Sequence, residues 1–396
     1  MKKVAIVSCY FQHNYGSMLQ AYATQMALDK LGYINETIDI SGFQNEIKKS
    51  KMLYFAKASL TSNILYDKIG MARTVLIKKI ARNQYSKLAK VRSEKFKSFS
   101  CEKFRLSERY SSKDELSSKC EKNYSTVLVG SDQLWLPGNI AADYYTLNFV
   151  PNTVNSVAYA TSFGQSSLPR DTTKKAAKFL KHIKHIGVRE ESGQSLIKSI
   201  SGRNVPVVCD PTLLFTGDEW LTIQRDEPII KENYILCYFL GNNPPHREFA
   251  KRLREETGYK IVALVHLDEF IKSDEEYADL MPYDIDPADF LNLIRNARYV
   301  CTDSFHCTVF SILYSRQFFT FRRFNSKTRQ STNSRLDTLF RLCGIFDRLL
   351  TGEEDIKSCL QIKSDFVNVH RRLELVREES LQYLIEALKD EKDTDL

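Results

Sequence analysis

The chain has 396 residues, which is enough for two domains with separate cores, and its 43% hydrophobic and 27% charged residues are typical of a soluble globular protein. No run approaches the roughly 20 apolar residues that a membrane-spanning helix requires. Residues 1–8 have the pattern of a β-strand and not of a signal peptide, so a cytoplasmic protein is predicted. The nine cysteines are scattered without a CxxC pair; we expect them to be reduced, and no metal site is predicted.

The net charge of +8 is unevenly distributed along the chain. Residues 45–105 contain sixteen Lys or Arg and only four Asp or Glu, mixed with apolar residues at helical spacing. This pattern suits an anionic membrane surface or a lipid-linked substrate; the alternative is a solvated helical excursion packed on the first domain. Nucleic acid is not expected as a partner, because no recognised binding motif accompanies the charge.

Strand and helix patterns alternate along the first part of the chain, before and after this basic excursion. The predicted strands are 4–8, 33–40, 126–130 and 156–161, and the predicted helices are 17–31 and 174–182. A series of strands and helices with loops at the strand ends predicts a parallel α/β domain.

A second series of the same kind follows. Strand 186–189 ends the first series. The predicted strands of the second are 205–209, 234–240, 260–266, 298–302 and 317–321, with helices at 287–296 and 305–314 and a charged amphipathic helix at 369–389. The predicted fold is therefore α/β, with two Rossmann-like domains facing a cleft. The predicted boundaries are 1–180 for the first domain, with a basic helical insertion at 45–122, then 181–345 for the second domain and 346–396 for a helical tail.

A polar turn lies between the first predicted strand and the first predicted helix. Asn14, Tyr15 and Gln20 supply amide and hydroxyl groups with an aromatic face, a mixture suited to a sugar. Gly16 permits close approach to the backbone, but a single glycine does not make a dinucleotide-binding fingerprint. A purely structural turn is the alternative interpretation.

Two further candidates follow predicted strands. In the segment that contains Ser131, Asp132 could accept a proton from an acceptor hydroxyl or orient it, and Trp135 could stack on a sugar; a capping Asp and a core Trp are the alternatives. Arg189 ends a strand near the domain boundary, and its planar guanidinium matches a carboxylate or a phosphate. The alternative for Arg189 is an ion pair with Glu190 or Glu191.

The segment around His306 is the most informative. Thr302, Asp303 and Ser304 offer capping oxygens after a buried strand, which puts His306 in the first turn of a helix. Ligands bind at this edge of open α/β sheets, helix amides attract anions there, and a histidine in that position can donate a proton. Lys327, in the loop after the next strand, could reach the same pocket or could simply be solvated.

Six of these segments, in this order, resemble the polysaccharide pyruvyltransferase family. They are residues 14–22, 129–135, 158–164, 188–192, 209–213 and 302–311. The resemblance implies a GT-B-like fold, with the acceptor on the first domain and the donor on the second. It also implies transfer of a pyruvyl group from phosphoenolpyruvate, without a cofactor, onto two hydroxyls of a glycan sugar as a cyclic ketal.

The resemblance implies that the catalytic His is His306 and the anion-binding Arg is Arg189, and the remaining roles follow from the residues discussed above. The catalytic pair would be His306 and Asp132. The donor site would contain Arg189, Thr302, Asp303, Ser304 and Lys327, and the acceptor site Asn14, Tyr15, Gly16, Gln20, Ser131 and Trp135. Many members of the family carry an Arg two residues before the active-site His, where this chain has Ser304. Lys327 is the first candidate for the replacement cation, and the others are Arg322, Arg323 and Arg329.

The expected partners are phosphoenolpyruvate and a glycan acceptor, most simply a lipid-linked oligosaccharide at the inner face of the cell membrane, destined for an exopolysaccharide or capsule. Residues 45–105 would then contact the membrane. Two other functions remain open. One is a glycosyltransferase whose helix start at Ser304–His306 holds the diphosphate of a nucleotide-sugar, and the other is a non-catalytic glycan-binding or assembly subunit.

Overall fold

The computed structural model describes residues 2–61, 84–266, 271, 274, 276–323 and 334–389. Two five-stranded sheets form the centre of the molecule, and every strand pair within them is parallel. Parallel sheets need helices on both faces, which explains why their central strands are continuous apolar runs.

The first sheet is built from the first half of the chain. Its strands are β1 (Lys3–Val7), β2 (Asn35–Thr37), β3 (Tyr124–Val129), β4 (Asn155–Thr161) and β5 (His185–Val188), in the order β2-β1-β3-β4-β5. The helices of this half are α1 (Tyr15–Lys30), α2 (Gln44–Thr61), α3 (Gln84–Lys103), α4 (Lys113–Asn123), α5 (Pro137–Ala142), α6 (Arg170–His182) and α7 (Glu191–Ser201).

The second sheet follows two short 3-10 turns, Pro211–Leu214 and Glu219–Ile223. Its strands are β6 (Tyr234–Tyr238), β7 (Lys260–Ala263), β8 (Tyr299–Thr302), β9 (Gln317–Phe321) and β10 (Leu349–Leu350), in the order β10-β9-β8-β6-β7. The helices are α8 (Pro244–Thr257), α9 (Pro287–Asn296), α10 (Phe305–Leu313), α11 (Ser334–Cys343), α12 (Ile356–Gln361) and α13 (Phe366–Leu388).

The two predicted series of strands and helices are present, but their borders differ from the predicted ones. Strand β5 lies beyond the predicted border at residue 180, yet it pairs with β4 in the first sheet. Residues 205–209 form no strand, because Val207 makes only an isolated bridge to Val188 at the sheet margin. Strand β10, predicted to belong to the tail, completes the second sheet.

Helix α13 packs back onto the first domain, as predicted for the tail. The amide of Asn155 on β4 donates to the carbonyl of Ala387, and the hydroxyl of Tyr383 donates to the carbonyl of Ala158. The hydroxyl of Ser380 accepts a hydrogen bond from the backbone N–H of Cys209. The end of the chain therefore ties the first sheet to the segment that leads into the second domain.

The basic insertion is not only a solvated excursion. Arg92 on α3 is buried and donates to the carbonyls of Val265 and Pro282 in the second domain. Residues 62–83 of the predicted insertion lie outside the described residues. Among the described helices, none is long and apolar enough to cross a bilayer.

A second contact between the domains comes from Tyr15 at the start of α1. Its hydroxyl donates to the carbonyl of Ile285 at 3.0 Å, and its ring stacks on Phe290 with the centroids 4.5 Å apart. The first and second domains thus meet through buried side chains beside the cleft.

Candidate active site

Two helix starts, one from each domain, face a cavity of about 380 Å³. Asn14 caps α1 by accepting a hydrogen bond from the backbone N–H of Ser17 at 3.1 Å. Ser304 caps α10 by accepting from the N–H of Cys307 at 3.4 Å. Helix starts carry partial positive charge, so both ends of this cavity favour an anion.

His306 lines this cavity and is packed tightly between the domains. Its ring lies against Gly16 so closely that a Cβ at Gly16 would be 2.1 Å from Nδ1. On the other side Nε2 lies 3.4 Å from Oδ2 of Asp210, which is close enough for charge attraction, although the geometry is not that of a hydrogen bond. A glycine is therefore required at position 16 because the ring of His306 occupies the space of a side chain. The sequence had instead suggested that Gly16 contacts the acceptor.

Gly16→Ala is expected to lower any activity that depends on His306 by about 100-fold, since the new methyl group must displace the imidazole and misplacements of about 1 Å have effects of this size. Turnover measured beside the unchanged protein tests this expectation. Gly130→Ala is the matched control: at that cleft glycine the added Cβ meets its nearest neighbour, Oγ1 of Thr24, at 3.6 Å. Equal loss in both variants would argue against a special contact at Gly16.

Asp210 is the centre of a buried hydrogen-bond network behind His306. Its Oδ2 accepts from the hydroxyl of Ser131 at 2.8 Å and from Arg189 Nη1 at 2.7 Å. Its Oδ1 accepts from the N–H and the hydroxyl of Thr212. Burial alone would raise the pKa of Asp210, but His306, Arg189 and these hydrogen bonds outweigh burial and hold the pKa well below its usual value. The Asp210 carboxylate therefore stays charged next to His306.

Asp132 also lines the cavity and follows directly after β3 and the residues Gly130 and Ser131. It adopts a positive φ of 80°, a backbone conformation that is uncommon outside glycine and is often found at functional sites. Its Oδ2 accepts from the hydroxyl of Ser17 at 2.6 Å and its Oδ1 from the N–H of Gln133 at 2.8 Å. Burial acts to raise the pKa of Asp132, but the charges of Arg189 and His306 lower it below the usual value. Asp132 is thus a charged acceptor suited to orienting a hydroxyl.

Arg189 lies behind the cavity and is neutralised by carboxylates. Besides Asp210, it faces Asp132 at 3.7 Å and Glu190 at 3.9 Å, and its guanidinium lies 4.8 Å from the ring centre of Phe305. The ion pair with Glu190 that the sequence offered as an alternative is present at this longer distance. Arg189 therefore holds the carboxylates of Asp210 and Asp132 in place and is not among the residues that line the cavity.

Three other cations do line the cavity: Lys51 from α2, Arg323 after β9 and Arg335 from α11. Arg323 donates to the carbonyl of Asp303 at 3.0 Å. Burial lowers the pKa of Lys51, and burial together with repulsion from Arg189 lowers the pKa of Arg335. Across the described part of the chain, neither Lys51 nor Arg335 has a hydrogen-bond or ion-pair partner. Arg323 also faces the carboxylate of Asp303 at 3.5 Å, so the unpaired positive charge of the cavity comes from Lys51 and Arg335.

Several residues assigned to the acceptor site by the sequence do not reach the cavity. Trp135 is fully buried, donates its indole N–H to the carbonyl of Tyr145 and packs against Phe163, so its core alternative is the one observed. Gln20 is equally buried and bonds the carbonyl of Ser17. Tyr15 joins the two domains and Ser131 serves Asp210, as described above. Of the predicted acceptor set, only Asn14 lines the cavity.

The predicted donor residues divide in the same way. Ser304 lines the cavity, whereas Thr302 donates its hydroxyl to the carbonyl of Tyr238. Asp303 accepts hydrogen bonds from the N–H groups of Leu240 and Gly241, and so it holds the loop after β6 instead of a ligand. Lys327 lies outside the described residues. Arg322, another candidate cation, pairs with Asp337 away from the cavity.

Ser17, Lys51, Asp210 and Arg335 were not assigned to the site by sequence reasoning. Asp210 lies in a segment shared with the family, and that was its only signal. Lys51 lies in a lysine-rich helix and Arg335 in an amphipathic one, where a cation usually faces solvent, so no local pattern identifies them. Among the residues that the structure describes, no group of three His, Cys, Asp or Glu side chains could hold a metal ion.

Two parallel α/β domains with a cleft at their helix starts define a GT-B-like fold. The UDP-GlcNAc 2-epimerase from Methanocaldococcus jannaschii is similar in fold, with a TM-score of 0.51, 12% identity and coverage of 96% of this chain and 99% of that chain. Another UDP-N-acetylglucosamine 2-epimerase structure gives a TM-score of 0.50 at 12% identity and covers 97% of this chain and 96% of that one. These likenesses confirm the predicted fold class.

The family itself is identified by sequence. The model of the polysaccharide pyruvyl transferase family matches residues 14–323, and the chain belongs to this family. The predicted resemblance is thereby confirmed, and the protein is assigned to a family of transferases. No curated protein matches the chain.

Proposed function

We propose that the protein transfers the pyruvyl group of phosphoenolpyruvate onto two hydroxyls of one glycan sugar, forming a cyclic ketal and releasing inorganic phosphate. One observation carries this proposal: His306 lines a cavity together with Lys51 and Arg335, two cations that have no hydrogen-bond or ion-pair partner among the described residues. Phosphoenolpyruvate carries a carboxylate and a phosphate, and it needs a proton donor beside them. Lys51, Arg335 and the two helix starts match the charges, and His306 matches the need for a proton.

The chemistry begins with proton transfer from His306 to the methylene carbon of the donor. The adjacent carbon becomes electron-deficient, and the first acceptor hydroxyl adds to it and loses its proton. The bond to the phosphate oxygen then breaks, and the second hydroxyl closes the ketal and loses its proton as well. One of the two hydroxyl protons balances the proton gained by carbon, and phosphate leaves with the other. The surrounding cations stabilise the negative charge that develops on the departing phosphate.

Asp132 and Ser17 would act on the acceptor. A low pKa makes Asp132 a weak base, but an electron-deficient carbon attracts a hydroxyl that needs only modest activation. Hydrogen bonding to Asp132, directly or through the hydroxyl of Ser17, is sufficient to aim the attacking oxygen. The half-open mouth of the cavity adds the amides of Gln133 and Asn139 and the ring of Phe55, groups suited to a sugar.

The test is incubation of the purified protein with phosphoenolpyruvate and candidate lipid-linked oligosaccharides. Phosphate release and a mass gain of one pyruvyl ketal in the same oligosaccharide are expected together. Nucleotide-sugars serve as the comparison donors. Transfer of a sugar with release of a nucleotide diphosphate would replace the proposal with glycosyl transfer, and binding of glycan without any donor would indicate a non-catalytic subunit.

We further propose that the acceptor is carried by a lipid and that α2 contacts the membrane. The outer face of α2 exposes Met52 and Leu53, at 71% and 55%, one turn after Lys48 and Lys49. An apolar pair beside cations is the pattern of helices that lie on anionic membranes. The same helix supplies Lys51 to the cavity, so a membrane at α2 would lie next to the reaction site.

Replacing Met52 and Leu53 together with serine is expected to abolish cosedimentation with vesicles of anionic phospholipid at low salt, because both the apolar contact and the accompanying charge are needed for binding. Leu375→Ser, at a similarly exposed leucine of α13, is the control. Equal sedimentation of the unchanged protein with anionic and neutral vesicles would rule out this contact.

A further inference from the structure

The start of α10 supplies no cationic side chain to the cavity. Ser304 uses its hydroxyl to cap the helix, and the preceding Asp303 is bonded to two backbone N–H groups. His306 is the first residue of this helix able to carry charge. If a dianionic donor is bound here, as the proposed function requires, most of its counter-charge must come from other elements.

Arg335 stands out among the buried arginines. Arg92 donates to two carbonyls, Arg189 and Arg247 pair with Asp210 and Asp274, and Arg348 bonds Gln317 and Ser364. Arg335 is 8% exposed, yet within residues 2–61, 84–266, 276–323 and 334–389 no acceptor bonds it. The ring of Phe305 lies beside it, with the ring centre 5.7 Å from the guanidinium carbon.

A buried cation without a partner is costly, and the surroundings of Arg335 increase the cost. Arg189 lies near the same Phe305 ring, and its charge repels Arg335. Asp132 and Glu190 attract Arg335, but they are shared with Arg189 and do not compensate for burial. An unpaired buried charge normally loses several kcal/mol to desolvation unless a counter-ion is supplied. The cavity beside Arg335 is open to such a counter-ion.

We propose that Arg335 binds an anionic group of the donor and supplies the counter-charge that Ser304 does not. The planar guanidinium would form two parallel hydrogen bonds with a carboxylate or a phosphate. The proposal rests on phosphoenolpyruvate as the donor, and it adds a binding residue that comes from α11 and not from the helix start at His306. Binding of the anion would remove the repulsion from Arg189 by giving both cations a shared counter-charge.

The experiment compares Arg335→Gln with Arg341→Gln, a change on the same helix at an exposed residue that pairs with Glu191. Calorimetry should show that Arg335→Gln weakens phosphoenolpyruvate binding by about 10- to 100-fold, the usual effect of losing a hydrogen bond to a charged group, and that Arg341→Gln leaves it unchanged. Arg335→Lys, which keeps the charge and loses the planar fork, should fall between them. Inorganic phosphate and pyruvate, titrated separately, identify which group of the donor Arg335 binds.

Stability provides the second readout. Replacing an arginine that stabilises the fold through partners would lower the melting temperature. Replacing an unpartnered buried cation should leave the melting temperature of Arg335→Gln unchanged or raise it. Unchanged phosphoenolpyruvate affinity of Arg335→Gln would overturn the inference, whether or not the melting temperature falls. The outcome is separable from that of the proposed function. Ketal formation with unaltered binding in Arg335→Gln refutes only this inference, and weakened anion binding without ketal formation by the unchanged protein refutes only the function.

Discussion

His306→Gln is expected to lower the rate of pyruvyl transfer by about 100- to 10,000-fold, the range in which a positioned general acid contributes to catalysis. Glutamine fills a similar space and keeps hydrogen-bonding groups near Asp210, but it cannot deliver a proton to carbon. Phosphate release from phosphoenolpyruvate in the presence of acceptor measures the rate. Donor affinity should change much less, because the cations and helix starts of the cavity remain.

The control is His370→Gln, at a partly buried histidine on α13 that contacts Ser315 far from the cavity. Its rate should equal that of the unchanged protein. A rate for His306→Gln within a few-fold of normal would remove His306 from the mechanism. A parallel loss of donor affinity and rate would instead assign it a role in binding.

Asp210→Asn is expected to lower the free energy of unfolding by about 3–5 kcal/mol, the effect of removing one partner from a buried ion pair. The amide leaves Arg189 buried without its closest carboxylate and leaves Ser131 and Thr212 with poorer acceptors. The variant should also lose activity, since the charge next to His306 disappears. Urea unfolding of both proteins at neutral pH measures the difference in stability, and Asp226→Asn, at an exposed carboxylate, is the control.

The difference in unfolding free energy between Asp210→Asn and the unchanged protein should become smaller at acidic pH. Because the pKa of Asp210 is lower in the folded protein than its ordinary value of 3.8, its contribution is complete above that value and declines as the pH falls towards the folded pKa. The gap between Asp210→Asn and the unchanged protein should therefore narrow only below about pH 4. Adding Arg189→Met to Asp210→Asn should recover part of the lost stability, because the unpaired buried cation is removed. A further additive loss would show that the ion pair between Arg189 and Asp210 does not account for the destabilisation.

The sequence predicted most of the strands because buried parallel strands are short apolar runs bounded by polar loops. It failed at 205–209, where an equally apolar run finds only Val188 as a pairing partner. The predicted domain border at residue 180 falls before β5, although this strand pairs with β4 in the first sheet, since distant partners that local pattern does not reveal decide where a domain ends. Helix 287–296 was predicted to the residue, because Asp286 and Asp289 form a capping box there.

Prediction of the site was limited in a similar way. Asp132 follows β3 of the first sheet and His306 follows β8 of the second, and both residues line the cavity as their positions after strands suggested. Tyr15 and Trp135 have the chemistry of sugar contacts, but they are large enough to be useful in a core, and the core is where they lie. The assignments of residues to donor and acceptor remain predictions until binding is measured.

The packing of His306 against Gly16 makes the position of the imidazole depend on both domains. The histidine belongs to the second domain and the surface that fixes its ring belongs to the first, while Tyr15 and Ile285 hold the same two domains together next to it. Any opening of the cleft that admits a bulky glycan must separate these contacts at once. A change in the angle between the domains would also move the imidazole relative to Ser17 and Asp132, which belong to the first domain and line the same cavity.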